Sequence, residues 1–148
     1  MSREGKGPPT SHVPTPESSP LRARSQEHPH ERLEAWKKAV QLVTQIYQFC
    51  GDLPVHQKFV LVPQMQRAAI SVPANLAEGS ARESALDKKH FYAVARASLL
   101  ELDTLLVVAG ELGYAETDSV DEMRDTISHL ARVLNGLIAY QRKRSSPK

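Results

Sequence analysis

The stretch that decides the fold is FYAVARASLLELDTLLVVAGEL, residues 91–112. Its strongly polar side chains are Arg96, Glu101, Asp103 and Glu111. One apolar stripe at helical spacing contains Phe91, Ala95, Leu99, Leu102, Leu106 and Ala109, and a second contains Val94, Leu105, Val108 and Leu112. A helix that is apolar on two sides is either central or faces a second partner, and no helix of a small bundle is central. The stretch therefore predicts a long helix and an oligomeric protein.

The signals on either side of this stretch define its helix and the one before it. Ser84 and Asp87 resemble a capping box, and Gly113 stops the helix at about residue 112. The preceding helix is predicted from about residue 59 to residue 78, with Gly79 as its cap. Pro73 lies inside the pattern and cannot donate a backbone hydrogen bond, so a kink or a break is expected there.

Two further amphipathic segments complete the helical part. The first begins at Glu31 and ends before Gly51, with an apolar stripe formed by Leu33, Trp36, Val40, Val43, Tyr47 and Cys50. The last can be capped by Thr117 or Asp118, and its stripe contains Val120, Met123, Ile127, Leu130, Leu134 and Leu137. Four such helices with short loops predict an all-α, up-down-up-down four-helix bundle over residues 31–144.

The N-terminal segment differs in composition from the rest. Residues 1–30 contain six prolines and almost no apolar periodicity. A segment that buries little apolar surface cannot offset the entropy lost on ordering, so we expect a disordered tail.

Composition limits the class of protein. No run of about 18 apolar residues exists, so a membrane-spanning helix is not expected. Residues 1–20 lack the apolar stretch of a signal peptide, and Cys50 is the only cysteine, which together favour the cytoplasm. The formal net charge of the whole chain is only +2. Nucleic-acid binding would therefore need an uneven distribution of charge or repeated patches in an oligomer.

No pattern indicates catalysis, a cofactor or a metal. Asp87-x-x-His90 and Asp125-x-x-x-His129 do not fit the Glu-x-x-His pairs of a di-metal bundle. Three tail histidines, His12, His28 and His30, lack the cysteines or carboxylates that would frame a metal site. Cys50 lies at an apolar helix position, where a core role is expected. A helix-turn-helix over residues 73–96 is the remaining alternative, although its second helix becomes apolar after three polar residues.

The chain resembles a bacterial family of four-helix-bundle proteins encoded by intervening sequences in 23S ribosomal RNA genes. The resemblance extends from Leu33 to about Gly113. Its clearest motif is Gln64-x-x-Arg67-Ala68-x-x-Ser71-Val72-Pro73-Ala74-Asn75-Leu76-Ala77-Glu78-Gly79, followed by Arg82. Supporting motifs are Leu33-x-x-Trp36-Lys37-x-Ala39, Ala95-Arg96-Ala97-Ser98-Leu99-x-Glu101-Leu102 and Leu112-Gly113-Tyr114.

The resemblance implies an up-down bundle assembled as a ring-like homopentamer, and the absence of catalytic motifs indicates that the protein is not an enzyme. The family is related to the accessory protein of diversity-generating retroelements, in which a basic surface is implied to bind nucleic acid and a reverse transcriptase. The leading hypothesis is thus an oligomeric nucleic-acid-binding accessory protein that binds RNA or DNA. The alternative is a protein-binding scaffold with no nucleic-acid role.

Two sets of residues carry these hypotheses. The candidate nucleic-acid contacts are Lys37, Lys38, Arg82, Lys88, Lys89, Arg142, Lys143 and Arg144. The residues assigned to architecture or subunit contacts are Arg67, Pro73, Asn75, Glu78, Arg96, Glu101 and Leu105. Charged members of the second set lie in or beside apolar stripes, so pairing between helices is expected for them.

Overall fold

The computed structural model describes residue 30 and residues 33–147. Four helices account for most of this part: α1 Glu34–Gly51, α2 Leu61–Ser80, α3 Ala85–Glu111 and α4 Thr117–Ser145. A 3-10 turn, Val55–Gln57, lies between α1 and α2. The predicted all-α class is confirmed. The predicted tail lies outside the described residues, apart from residue 30.

The helices are arranged up-down-up-down. Each packs against its neighbour in sequence, and α1 contacts α4 only lightly. Two bonds show that α3 and α4 run in opposite directions: Arg96 bonds Asn135, whereas Asp103, further along α3, bonds Arg124, earlier in α4. The end of α2, the start of α3 and the end of α4 therefore lie together at one end of the bundle. The start of α2, the end of α3 and the start of α4 lie together at the other.

The core is formed by the first apolar stripe of α3 together with the inner faces of the other helices. Leu99, Leu102 and Leu106 are essentially inaccessible to solvent. Each such leucine contributes about 1.5–3 kcal/mol by leaving water. At the start of the stripe, Tyr92 is buried instead of the expected Phe91, which is half-buried. The main stripes of α3 and α4 are otherwise predicted well.

The predicted stripe of α1 has the wrong phase. The buried residues of α1 are Ala35, Ala39, Leu42, Ile46, Phe49 and Cys50. Trp36 and Val43 only pack against the edge of the core, and Tyr47 is exposed. The helix carries two adjacent apolar stripes, and the stripe with two alanines faces inward. Small side chains let the backbone of α1 approach the core closely, which explains why the stripe with the alanines, and not the stripe with Trp36, faces inward.

The ends of α3 follow the predicted chemistry. The Ser84 hydroxyl accepts a hydrogen bond from the Asp87 backbone N–H at 3.1 Å, which caps the first turn. At the other end Gly113 adopts a positive φ of 73°. The Tyr114 N–H donates to the Ala109 carbonyl at 2.9 Å, and the Gly113 N–H donates to Gly110 at 3.0 Å. This pair of bonds is a Schellman motif, which needs the left-handed residue that glycine supplies.

Helix α2 continues unbroken through Pro73, so of the two expected outcomes, a kink or a break, the break does not occur. Val72 and Leu76 on either side of the proline are fully buried, so packing holds both halves of the helix on the core. The Asn75 carboxamide also donates to the Ser71 carbonyl at 2.8 Å. This bond does not replace the one that Pro73 cannot form, which would go to the Ala69 carbonyl. The packing of Val72 and Leu76 is therefore what keeps the helix continuous.

Two predicted caps were wrong. Gly79 does not end α2 but lies inside it and is buried, because the ring of Tyr92 and the side chain of Phe91 pack directly against its Cα. Helix α4 begins after Glu116, and neither Thr117 nor Asp118 caps it through its side chain. Both lie within the first turn, where the carboxylate of Asp118 suits the positive end of the helix.

Candidate nucleic-acid interface

Basic residues collect at one end of the bundle. The end of α2, the start of α3 and the end of α4 meet there, and we call residues 71–98 and 132–147 the basic end. Its cations are Arg82, Lys88, Lys89, Arg96, Arg132, Arg142, Lys143 and Arg144. Its carboxylates are Glu78, Glu83 and Asp87. Eight cations against three carboxylates give this end a strongly positive field.

The opposite end has the reverse balance. We call residues 43–70 and 99–131 the acidic end; its cations are Lys58, Arg67 and Arg124. Its carboxylates are Asp52, Glu101, Asp103, Glu111, Glu116, Asp118, Asp121, Glu122 and Asp125. Residues 33–147 contain equal numbers of acidic and basic residues. Their net charge of zero therefore conceals a separation of charge along the bundle.

Two predicted contacts lie apart from the rest. The Lys38 ammonium nitrogen is 3.1 Å from the Nε2 atom of His129, partway along α4, and Lys37 pairs with Glu34 at 3.7 Å. Helix α1 thus begins alongside the middle of α4, away from its basic tip. Lys37 and Lys38 therefore lie apart from the other predicted contacts, because α1 is much shorter than α4.

Arg82 and Lys88 hold the corner between α2 and α3. Arg82 forms an ion pair with Glu78, and its guanidinium lies 4.7 Å from the centre of the Phe91 ring. The Lys88 ammonium donates to the Ser80 carbonyl at 3.0 Å. Glu78 therefore offsets the charge of Arg82, whereas Lys88 keeps its charge and is held at the corner by an uncharged carbonyl.

A groove separates the start of α3 from the end of α4. It has a volume of about 450 Å³ and is lined by Leu86, Asp87, Lys89, His90, Ala93, Arg96, Ile138 and Arg142. The Arg96 guanidinium crosses to α4 and donates to the Asn135 side-chain oxygen at 3.1 Å. Among the described residues, no carboxylate lies within ion-pair distance of Lys89, Arg96 or Arg142. We call this the α3–α4 groove.

The last turn of α4 carries Arg142, Lys143 and Arg144, all exposed. The Arg144 guanidinium lies 5.7 Å from the centre of the Tyr140 ring, which is itself exposed. Sequence reasoning missed Tyr140, although its spacing of four from Arg144 placed the two on one face. An exposed aromatic ring beside cations is a typical surface for an unpaired nucleobase.

Three of the four charged residues assigned to architecture lack the expected pairing between helices. Arg96 pairs between helices, as expected, but Arg67 and Glu101 are exposed, and Glu78 pairs with the adjacent loop. Leu105 is half-buried against the core. The second stripe of α3 is nevertheless open to solvent at its other positions, and Leu112 is 55% exposed.

A second exposed apolar group was not recognised in the sequence. Val55 and Phe59 are 87% and 84% exposed, and Val60 is also exposed, in the α1–α2 connection at the acidic end. The run of apolar residues before α2 was the available signal, but it was attributed to the helix itself.

Three further observations concern metal ligands, the cysteine and membrane-spanning helices. No three His, Cys, Asp or Glu side chains gather as metal ligands within residues 30 and 33–147. Burial raises the pKa of the Cys50 thiol to about 11, so the reactive thiolate is scarce at neutral pH. None of the four helices has the length and apolar character needed to cross a membrane.

The helix-turn-helix interpretation was wrong. Helices α2 and α3 pack against each other along their lengths as an antiparallel hairpin, with the Ser71 and Ser98 hydroxyls 2.8 Å apart midway. A recognition helix must instead project away from its partner, at roughly 90–120°. The apolar character of α3 beyond Phe91 is explained by this packing.

Comparisons with known proteins agree with the fold. A crystal structure at 1.70 Å resolution of a protein of unknown function from the S23 ribosomal protein family of Bacteroides thetaiotaomicron VPI-5482 superposes with a TM-score of 0.66. The two chains are 20% identical, and the match covers 70% of this chain and 97% of the other. No functionally curated protein matches the chain. The sequence profile of one family matches residues 31–136, which is most of the chain and includes all of α1, α2 and α3. The chain belongs to the 23S rRNA-intervening sequence protein family.

Proposed function

We propose that the chain is a non-catalytic, homopentameric accessory protein that binds RNA or DNA through its basic end. The observation that supports this most is the separation of charge: the cations gather at one end although the described residues have no net charge. Phosphate groups attract such a surface whatever the base sequence, so binding is sequence-tolerant. A reverse transcriptase is the protein partner that the family resemblance suggests.

Assembly strengthens the binding expected of one bundle. Each subunit of a ring repeats the same basic end, and contacts then add along a single polyanion. Because each phosphate contact releases counterions, the affinity falls steeply as salt rises. A modest patch per subunit therefore suffices in an oligomer.

Removing two cations from the basic end should weaken nucleic-acid binding. We expect Lys143→Ser with Arg144→Ser to reduce the affinity for a labelled single strand about ten-fold at about 50 mM salt, and to flatten the salt dependence. The measurement is fluorescence anisotropy with RNA and DNA of unrelated sequences, all of which should be affected about equally.

The matched control changes two cations of the acidic end. Lys58→Ser with Arg67→Ser removes the same charge from exposed positions and should leave the affinity within about two-fold. Equal losses in both double variants would show that only net charge matters. If the unmodified protein retains neither RNA nor DNA at about 50 mM salt, nucleic-acid binding is ruled out.

The oligomer should depend on the exposed stripe of α3. Light scattering at micromolar concentration should give about five times the 16.4 kDa mass of one chain. Leu112→Glu places a charge on this stripe and should dissociate the assembly while the helical content stays unchanged. Leu100→Glu is the control, because Leu100 is at least as exposed as Leu112 but lies outside the stripe. A monomeric unmodified protein would contradict the proposal.

The acidic end favours a second candidate function, that of a protein-binding scaffold. Val55 and Phe59 are exposed apolar side chains at the end of the bundle where carboxylates outnumber cations, a combination suited to a partner with apolar and basic residues. This function stands alone if RNA and DNA are not bound. Phe59→Ser would then abolish capture of the partner without changing the oligomeric mass.

A further inference from the structure

We propose that the α3–α4 groove binds one phosphate group of the nucleic acid, an inference that rests on the proposed function. The groove lies at the basic end and receives side chains from two helices. Lys89 and Arg96 extend from α3, and Arg142 extends from α4. Arg96, which sequence reasoning assigned to architecture, becomes a ligand-binding residue.

The charges that line the groove, three cations against the single carboxylate of Asp87, favour the binding of an anion. Three cations line it, and none lies within ion-pair distance of a carboxylate of the described residues. Cations from opposite sides of the groove repel each other until an anion sits between them. A phosphate group satisfies this requirement, because its oxygens accept hydrogen bonds from several donors at once.

Arg96 is oriented without being neutralised. Its guanidinium uses one donor on the Asn135 carboxamide, which is uncharged, and a guanidinium has five donors. The remaining donors keep the fork geometry that matches phosphate, and the bond to Asn135 reduces the entropy lost on binding. The bond to the Asn135 amide therefore orients the Arg96 guanidinium and leaves its positive charge available to an anion.

At the acidic end, the contact between α3 and α4 contains an arginine that is neutralised, in contrast to Arg96. There Arg124 binds both carboxylate oxygens of Asp103, at 2.8 and 3.2 Å, which neutralises the cation and closes the two helices together. The contact between α3 and α4 thus contains an ion pair at the acidic end, whereas the cations of the groove at the basic end have no carboxylate within ion-pair distance among the described residues. Ala93 and Ile138 contribute apolar side chains to the lining of the groove between the two helices.

The test compares two arginines of the basic end by anisotropy with a labelled single strand at about 50 mM salt. Arg96→Gln should weaken binding about ten-fold, since a charged hydrogen-bond donor to phosphate is lost while glutamine can still bond Asn135. Arg132→Gln removes the same charge from an exposed position outside the groove and should weaken binding about two-fold. If Arg96→Gln disturbs the fold, as judged by circular dichroism, Arg142→Gln replaces it, because Arg142 is exposed.

A second pair of variants should strengthen binding. Asp87 is the one carboxylate among the groove-lining residues, so Asp87→Asn should tighten binding about three-fold by removing repulsion of the phosphate. Glu83→Gln, in the exposed loop of the same end, should change the affinity by less than about 1.5-fold. A residue with a purely structural role would not give this gain.

The strand is prepared with and without a 5′-phosphate, which distinguishes the two sources of the phosphate. If Arg96→Gln loses its effect when the 5′-phosphate is absent, the groove binds a terminal monoester. If the effect persists, the groove binds an internal diester; either result supports the inference. If the unmodified protein binds but Arg96→Gln matches Arg132→Gln and Asp87→Asn matches Glu83→Gln, the inference is overturned and the proposed function stands. Absence of binding by the unmodified protein overturns both.

Discussion

Leu106→Ala is expected to lower the free energy of unfolding by about 2–5 kcal/mol, enough to unfold a substantial fraction of a marginally stable domain. Leu106 is fully buried in α3, and alanine would leave a cavity among side chains that cannot close around it. Chemical denaturation followed by circular dichroism measures the change.

Leu112 provides the control for that experiment, because it is on the same helix and is 55% exposed. Leu112→Ala should change the unfolding free energy of the separated subunit by less than about 0.5 kcal/mol. It should instead weaken the assembly and make the unfolding midpoint depend more strongly on protein concentration. Similar losses at the two positions in a monomeric sample would mean that Leu112 belongs to the core.

Gly79→Val is expected to destabilise the bundle by about 3 kcal/mol through overpacking. A Cβ atom at this position would lie 2.8 Å from the Tyr92 ring and 2.9 Å from the Phe91 Cβ. The Tyr92 ring is buried, and the Phe91 Cβ moves only with its backbone, so α2 and α3 must separate to admit the new side chain. Thermal or denaturant unfolding gives the size of the loss.

Gly136→Val is the matched substitution for Gly79. Gly136 also lies inside a helix, but a Cβ atom there would meet nothing within 4 Å. Because valine forms helix slightly better than glycine, Gly136→Val should leave stability within about 0.5 kcal/mol of the unmodified protein. A loss at Gly136 as large as at Gly79 would show that backbone freedom, rather than close packing, requires the glycines.

Periodicity was sufficient to predict the fold class and the inner faces of α3 and α4. It failed on α1 because two apolar stripes lie side by side, and the larger side chains, such as Trp36, suggested the wrong one. The distinction depends on how closely α1 approaches its neighbour, which alanines at 35 and 39 permit. The role of Gly79 could not be predicted either, because it depends on close packing against Tyr92, which belongs to the following helix.

The candidate site was predicted only in part. Arg142, Lys143 and Arg144 are adjacent in the chain, so their cluster was visible in the sequence. The groove was not, because it joins Arg96 to Arg142 across two antiparallel helices. Summing charge along the chain also conceals the two ends, since α3 passes from basic to acidic along its length and α4 passes from acidic to basic. The antiparallel packing of α3 and α4 brings their basic segments to one end of the bundle and their acidic segments to the other.

The separation of charge gives each bundle a permanent side-chain dipole along its long axis. The backbone dipoles of antiparallel helices largely cancel, so the basic and acidic ends determine its direction. A polyanion is attracted to one end and repelled by the other, and at physiological salt this field acts over about 8 Å. Encounters at that range are therefore oriented before any contact forms. Neighbouring subunits in a ring, if they point the same way, add their dipoles and give the assembly two electrically distinct faces.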